Sequence, residues 1–330
     1  MGQANFLPGP MIEIEGLTKR FGAVAAVAGI DLKVGKGEVL GFLGPNGAGK
    51  STTMKMVTGF LTPTTGRVTV CGHDIETDTL AAQKTIGYLP EGAPAYGEMT
   101  PRQFLTFIAR VRGYGGATVK ERVDAAVAKT DLDPVLDQPI DTLSKGFKRR
   151  VGLAQAILHD PPVLIMDEPT DGLDPNQKHS VRELIRAMAK EKAIIVSTHL
   201  LEEVEAICTR AVIIDRGRVV ADGTPAQLLA RSRHHNAVTL TVAAKDAAGI
   251  ITKLRTIPAI ATVEQTPAGD GIVQLTAFPK SGALLIEEIG RMAADDEWDV
   301  KELYAEPGRL DEVFRAITTH DAARAREGRA

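Results

Sequence analysis

Two hydrophobic patterns follow one another along the chain. Between Met11 and Val34 apolar and polar residues alternate, which predicts antiparallel strands on either side of a turn. After Gly37 the strands become continuous apolar runs, at residues 39–43, 163–166, 193–196 and 211–214. Helical patterns such as residues 50–59 and 177–190 lie between these runs, so the sequence predicts an α/β fold with a mainly parallel sheet covered on both faces.

Two further regions differ from this α/β pattern. Residues 92–160 are mostly helical in pattern and predict a helical lobe inserted in the first domain. From residue 237 the order is strand, helix, two strands and helix, which predicts a small α+β domain compatible with a ferredoxin-like fold. We expect a flexible tail at 1–10, a first domain at 11–230, a linker at 231–236, a second domain at 237–319 and a tail at 320–330.

The composition restricts the class of protein. The chain has 330 residues, a net charge of −3 and two cysteines, Cys71 and Cys208. This charge gives no basic field that would attract nucleic acid, and two distant cysteines provide neither a disulfide framework nor a zinc site. No apolar stretch approaches the roughly 20 residues of a membrane-spanning helix. We expect a protein of the reducing cytoplasm that binds no nucleic acid and contacts a membrane only through another chain.

The stretch GPNGAGKS at residues 44–51 joins the apolar run 39–43 to a helical pattern. It satisfies G-x-x-x-x-G-K-[ST], in which glycines let backbone N–H groups wrap around a triphosphate, whereas the alternative is an ordinary loop. Lys50 is expected to reach the β- and γ-phosphates in a catalytic role, and Ser51 to hold Mg²⁺. The residues predicted here to bind nucleotide are Gly44, Asn46, Gly47, Ala48, Gly49, Lys50, Ser51 and Thr52.

A second motif lies at the end of the apolar run 163–166, where Asp167 and Glu168 precede a proline. Asp167 is expected to hold Mg²⁺ through water, and Glu168 to polarise the attacking water. The run 193–196 ends similarly in Ser-Thr-His, which puts His199 at the same carboxyl edge of the sheet, where open α/β sheets bind ligands. The alternative for the acidic motif is a strand that simply ends at the surface.

Residues 143–150, LSKGFKRR, precede the segment VGLAQAILHDPPVLIMDEPTDGLDP. Together they resemble the signature region, acidic strand and D-loop of ATP-binding cassette (ABC) ATPases, in particular the exporter branch of antibiotic-resistance and gliding-motility systems. The resemblance covers residues 11–230 and implies a P-loop NTPase cassette with an antiparallel β subdomain and a helical lobe. It also implies two cassettes facing head to tail, with each ATP between one chain's phosphate loop and Ser144 and Gly146 in the signature of the other.

Further residues match the family one at a time. Phe21 matches the aromatic residue that stacks on adenine, although an isolated aromatic in a hairpin is more often part of a core. Asp174, in Gly-Leu-Asp-Pro, matches the D-loop that links the two sites. His199 matches the switch histidine that contacts the γ-phosphate, which the resemblance makes a catalytic residue.

The sequence departs from the wider family in two places. Glu91 stands where many cassettes have the glutamine that contacts Mg²⁺ and the attacking water, and a carboxylate can also ligate Mg²⁺. Lys145 and Phe147 replace a second glycine and a glutamine that are common in the signature. Both variants occur together in the exporter branch and favour that assignment, with Glu91 as a candidate metal ligand beside Ser51 and Asp167.

The resemblance implies the ATP-hydrolysing subunit of an ABC exporter, with ATP and Mg²⁺ as cofactors, at the cytoplasmic face of the cell membrane. The expected partners are a second copy or a related cassette, and a separate transmembrane permease driven by ATP-dependent dimer closure. The lobe after Glu91 is where the family receives short helices of the permease. Its candidate contacts are Tyr96, Met99, Phe104 and Phe107.

Two other functions are open at the level of sequence. A soluble ABC ATPase acting on a ribosome, nucleic acid or protein complex would resemble a tandem double cassette or carry a long coiled coil, and neither pattern occurs here. A P-loop kinase would transfer phosphate to a small acceptor, but the signature and the paired acids argue against it. Residues 303–314 are similar to the C-terminal segment of exporter ATPases, where they would brace or regulate the dimer or form a passive cap.

Overall fold

The computed structural model describes residues 9–269 and 271–327. The chain divides into two compact units, one ending at Thr224 and the other beginning at Pro225, so the short helix Pro225–Leu229 belongs to the second unit rather than to the expected first domain. The expected tails lie partly outside the described residues, at 1–8 and 328–330, but a helix at Leu310–Glu327 continues into the range 320–330. Within the described ranges, no helix is both long and apolar enough to cross a bilayer.

The first unit alternates strands and helices. In chain order its elements are β1 (Ile12–Phe21), β2 (Val24–Val34), β3 (Val39–Leu43), α1 (Lys50–Val57), β4 (Thr65–Val70), β5 (His73–Asp74), α2 (Thr79–Lys84), β6 (Ile86–Leu89), α3 (Pro101–Val111), α4 (Ala117–Thr130), α5 (Lys145–Ile157), β7 (Val163–Asp167), α6 (Pro175–Ala189), β8 (Ala193–Thr198), α7 (Leu201–Ile207), β9 (Arg210–Asp215) and β10 (Arg218–Gly223). The helical lobe is formed by α3, α4 and α5.

A six-stranded sheet carries the candidate site. Its order is β10-β9-β3-β8-β7-β6, with parallel pairing throughout except between β9 and β10. Every residue of β3, β7 and β8 is buried, which explains why these strands read as continuous apolar runs. The expected mainly parallel sheet is confirmed, and the strands β3, β7 and β8 end side by side at one edge.

A second sheet, of order β2-β1-β4-β5, is antiparallel. Its inward side chains, such as Ile12 and Val27, share one buried cluster with Leu40 and Phe42 of β3. The helical lobe has its own core, which includes Phe104, Leu105, Val123, Val127 and Val151. Since α5 begins in this lobe and leads directly to β7, the lobe and the acidic strand are joined by one helix.

The second unit forms another compact α+β fold. Its elements are α8 (Pro225–Leu229), β11 (Val238–Ala243), α9 (Ala247–Leu254), β12 (Ile260–Gly269), β13 (Ile272–Pro279), α10 (Ile286–Asp295), β14 (Val300–Ala305) and α11 (Leu310–Glu327). The strands are antiparallel in the order β12-β13-β11-β14, so α9 and α10 each connect two strands that have a third strand between them. This is the split β-α-β arrangement of ferredoxin-like folds.

Candidate active site

The loop between β3 and α1 is closely packed on its surroundings. Gly47 and Gly49 have φ values of +81° and +106°, in the region that favours glycine. A Cβ on Gly49 would lie 2.5 Å from the carbonyl oxygen of Ala26, and one on Gly44 would lie 2.4 Å from that of Ile214. The loop therefore needs glycine at these positions for close backbone packing as well as for its left-handed conformations.

Lys50 is the buried cation of this loop, being only 7% exposed. Its Nζ donates to the carbonyl oxygens of Gly44 at 2.6 Å and Pro45 at 3.2 Å. Burial lowers the pKa of Lys50, and the nearby acids Glu168, Asp167 and Glu91 oppose this effect. Within the part of the chain that the structure describes, this buried ammonium is held by carbonyl oxygens alone, which suits it to an anion that enters the loop. Ser51 and Thr52, both half-buried, follow in the first turn of α1.

The two acids at the end of β7 have different environments. Asp167 is buried, and its Oδ1 accepts a hydrogen bond from Ser197 Oγ on β8. Glu168 has φ +52°, an uncommon value for a residue with a side chain, and its N–H donates to the Ser197 carbonyl oxygen at 3.1 Å. The strand end thus directs one carboxylate into the interior and leaves the other partly accessible.

His199 follows the end of β8, next to β7 in the sheet. Its Nδ1 lies 3.0 Å from Glu168 Oε1, and it donates to this carboxylate when Nδ1 carries the proton. The imidazole is otherwise largely exposed. Sequence reasoning placed both residues at this edge, and the structure brings them into hydrogen-bond contact.

Several of the predicted residues surround one cavity of about 310 Å³. Its lining consists of Asn46, Glu91, Gly92, Arg149, Glu168, Asp171 and His199. Carboxylates and a serine hydroxyl are the oxygen ligands that Mg²⁺ prefers, so Ser51, Asp167 and Glu91 have suitable chemistry for the metal. The described side chains contain no ready-made cluster of three or more His, Cys, Asp or Glu that could hold a metal.

Other predicted residues lie apart from this cavity. Ser144 caps the start of α5, where its Oγ accepts from the Phe147 N–H at 3.3 Å, and Asp174 caps α6. Gly146 is packed so tightly that a Cβ would lie 2.3 Å from Gln177 Oε1. Ser144, Gly146 and Asp174 are not among the described residues that line the cavity. The starts of α5 and α6 are thus packed together as a separate feature.

Phe21 ends β1 and is 53% exposed, so its ring is not part of a core. Lys19 Nζ lies 5.4 Å from the ring centroid, within the range of a cation–π contact. The ring is therefore accessible for stacking on a planar ligand.

Sequence reasoning missed Arg149 and Ser197. Arg149 on α5 donates through Nη1 to the Pro90 carbonyl oxygen at 3.1 Å and through Nη2 to the carbonyl oxygens of Asp167 and Glu168. The available signal was its spacing of three and four residues from the buried positions Gly146 and Leu153, which puts an arginine on the buried face of a helix.

Comparison with known proteins identifies the family. The sequence model described as ABC transporter matches residues 27–171. The Nod factor export ATP-binding protein I of Rhizobium sp. (strain N33) is 33% identical over 93% of this chain and 96% of its own. The chain belongs to the ABC transporter family. It is an ATP-binding and ATP-hydrolysing subunit of a transporter, and the resemblance to exporter ATPases stated from the sequence is confirmed.

Two other similarities support this membership. The linearmycin resistance ATP-binding protein LnrL of Bacillus subtilis (strain 168) is 36% identical over 70% of this chain and 75% of its own. A solved dimeric ATP-binding cassette, in a post-hydrolysis state bound to ADP and Pi, has a TM-score of 0.60 and 22% identity, covering 65% of this chain and 99% of its own. The last similarity shows that about two thirds of the chain has the fold of an ABC cassette.

Proposed function

We propose that this chain hydrolyses Mg–ATP as the motor subunit of an export system at the cytoplasmic face of the cell membrane. The observation that carries the proposal is the 3.0 Å contact between His199 Nδ1 and Glu168 Oε1, in a cavity that Asn46 of the phosphate loop also lines. A carboxylate oriented by an imidazole beside a phosphate-binding loop is suited to activating water rather than to binding alone.

Each element of the site has a role in this proposal. The backbone of the loop at residues 44–49 binds the phosphates, with Lys50 adding a positive charge and the start of α1, including Thr52, adding its N–H groups. Ser51, Asp167 and Glu91 hold Mg²⁺, which when bound neutralises charge on the phosphate oxygens. Glu168 accepts a proton from the attacking water. Phe21 stacks on the adenine.

The nucleotide lies between two copies of the chain, head to tail. Ser144 and Lys145 are exposed at the start of α5, a helix of 13 residues, where free backbone N–H groups can meet an anion. Since the described cavity lining does not include Ser144 or Gly146, a second copy provides the simplest source of this helix start at the phosphate. Asp174, capping the adjacent α6, lies at the same interface. A related cassette could take the place of the second copy.

The permease docks in a groove of about 890 Å³ between the sheet and the helical lobe. Its lining includes Phe60 and Leu80, which are 70% and 75% exposed, together with Val111, Tyr96 and Phe104. Lys55, Lys84 and Arg112 also line it. We therefore assign it a short amphipathic helix of the permease with an acidic residue among its polar positions. Among the other predicted contacts, Phe107 stacks edge-on against Tyr96, and Met99 packs on the lobe core.

Export is proposed because of the names of two relatives. The one that matches 93% of this chain is named for Nod factor export, and the one that matches 70% is named for linearmycin resistance. The transported substrate would be recognised by the permease. A soluble ATPase acting on a ribosome, nucleic acid or protein complex has no specific observation in its favour. A small-molecule kinase has none either.

Two measurements test the proposal together. The purified chain with Mg–ATP should release phosphate and form no phosphorylated acceptor, as an ATPase does and a kinase does not. Purification from detergent-solubilised membranes should recover the chain with a multispanning membrane protein. Recovery with ribosomes or nucleic acid, and without a membrane protein, would contradict the transporter assignment.

A further inference from the structure

Arg149 is a buried cation in the proposed active site, and none of the roles described above is assigned to it. It is 6% exposed, and it lines the same cavity as Glu91, Glu168 and Asp171. Its Nε is buried and has no hydrogen-bond partner among the described residues. Burying a guanidinium costs free energy unless the group is paired with acids and its N–H groups are hydrogen-bonded.

The guanidinium joins three parts of the site. Arg149 belongs to α5, whereas the carbonyls that it binds belong to the end of β7 and to Pro90, the residue before Glu91. An arginine side chain is a planar fork with donors in fixed directions, so it can hold these carbonyls in one relative position. One of them belongs to Glu168, whose backbone has the uncommon φ of +52°. Fixing that carbonyl restrains the backbone that orients the Glu168 side chain.

The acidic residues that line the cavity outnumber the basic ones. Glu91, Glu168 and Asp171 line it together with Arg149, and Asp167 directly precedes Glu168 at the end of β7. Carboxylates close together in a partly buried site repel one another, and a cation among them reduces this repulsion. Glu91 adds a negative charge where many family members have a neutral glutamine. The Nε–H of Arg149, which has no partner among the described residues, is free to donate a hydrogen bond to a carboxylate.

We propose that Arg149 is a positioning residue of the ATPase reaction: it fixes the backbone beside Glu168 and Glu91, and its charge compensates the negative charge of Glu91. The proposal rests on the proposed function, because it assumes that Glu168 activates water in this cavity. Arg149 itself does not contact the reacting atoms. Its effect is transmitted through the two acids.

A mutant cycle on the full-length chain tests this proposal. The variants are Arg149→Gln, Glu91→Gln, their double mutant and Arg149→Lys, with Arg186→Gln as the control. Arg186 is an arginine of α6 that pairs with Glu183 and donates to the Ala206 carbonyl oxygen, and it does not line the cavity. For each variant we would measure kcat, KM, the dissociation constant of a fluorescent ATP analogue and the melting temperature.

Arg149→Gln should lower kcat by about tenfold or more while the dissociation constant of the analogue changes by less than about threefold. Glu91→Gln should then raise kcat of the Arg149→Gln chain by about fivefold or more, but should not raise kcat when Arg149 is present. Arg149→Lys keeps the charge and loses the fork, so its kcat should lie between those of the wild type and Arg149→Gln. Arg186→Gln should have the wild-type kcat.

Equal effects of Glu91→Gln in the two backgrounds would overturn the charge compensation. A wild-type kcat in Arg149→Gln would overturn the positioning role. If Arg149→Gln fails to fold, Arg149→Lys decides: an unchanged kcat there would overturn the positioning role, and a reduced kcat with normal analogue binding would support it. These failures differ from failure of the proposed function, in which the wild-type chain itself would release no phosphate from Mg–ATP.

Discussion

His199 Nδ1 and Glu168 Oε1 lie 3.0 Å apart and join the ends of two neighbouring parallel strands. The contact is possible because β7 and β8 run in register, with Asp167 opposite Ser197. Each strand contributes a polar group immediately after its last buried residues. Parallel pairing of two apolar strands thus brings a carboxylate and an imidazole together at one edge of the sheet.

The first prediction concerns Glu168. Glu168→Gln keeps the size of the side chain but removes the proton acceptor, so we expect kcat to fall by about 100-fold or more while ATP still binds. The control is Glu183→Gln, which alters an exposed acid on α6 that pairs with Arg186. Phosphate release and equilibrium binding of a labelled ATP measure the two effects. Normal turnover in Glu168→Gln would contradict the assigned role.

The second prediction is that Lys50→Met weakens ATP binding without lowering the free energy of unfolding. Without its ammonium the loop should bind ATP at least about tenfold more weakly, because a buried charge–phosphate interaction is lost. Without nucleotide, the free energy of unfolding should stay the same or increase, because burial lowers the pKa of Lys50 and so disfavours its charged form. Isothermal titration and urea unfolding provide the two measurements. Lys36→Met removes an exposed lysine that pairs with Glu191 and is the control. An unchanged ATP affinity would count against phosphate binding by Lys50 and the loop at residues 44–49.

A third prediction concerns pH. Burial and the charge of Arg112, whose Nη1 lies 2.7 Å from His159 Nε2, lower the pKa of His159 from 6.5 to about 3. The unfolded histidine therefore binds a proton below pH 6.5 while the folded one stays neutral, so stability should fall as the pH drops through this range. Between pH 7.5 and pH 5 we expect His159 to account for a loss of about 1–2 kcal/mol, which His159→Gln should abolish. Urea unfolding across this range measures it, and identical pH slopes in the two chains would rule out the linkage.

The fourth prediction concerns the groove between the sheet and the helical lobe. Leu80→Asp places a charge at the proposed docking site and should reduce recovery of the permease with the chain, while ATP binding by the isolated chain is unaffected. Leu284→Asp is the matched control, since Leu284 is 78% exposed and lies in the second unit. Equal recovery of the permease with both variants would locate the docking surface elsewhere.

Much of the fold was predictable because burial on two faces gives an unmistakable pattern. The apolar runs at 39–43, 163–166, 193–196 and 211–214 correspond to β3, β7, β8 and β9. β6 and β14 were not predicted, because β6 is only four residues long and β14 is mostly exposed at a sheet edge, so neither has a continuous apolar run. The extension of α11 into the expected tail follows from the alanine- and arginine-rich sequence there, which favours helix.

Residues of the site were predictable only where they come after an apolar strand in the sequence. Lys50, Glu168 and His199 follow apolar runs, so their shared edge could be inferred from the sequence. Arg149 could not be placed in the same way, since its contact with the carbonyls of Asp167 and Glu168 depends on how α5 packs against β7. The functional roles of Phe21, Ser144 and Asp174 stay predictions, because each depends on a ligand or a second chain.

The central claim is that ATP lies between the phosphate loop of one copy and the start of α5 in another. To test it, Cys71→Ser and Cys208→Ala would be combined with Glu168→Gln, and the exposed residues Asn46 and Ser144 would be changed to cysteine in separate chains. The two chains would be mixed and treated with a short bismaleimide cross-linker. We predict a cross-linked heterodimer that forms with Mg–ATP and not without it. If both chains bind ATP and no such heterodimer forms, the account is contradicted.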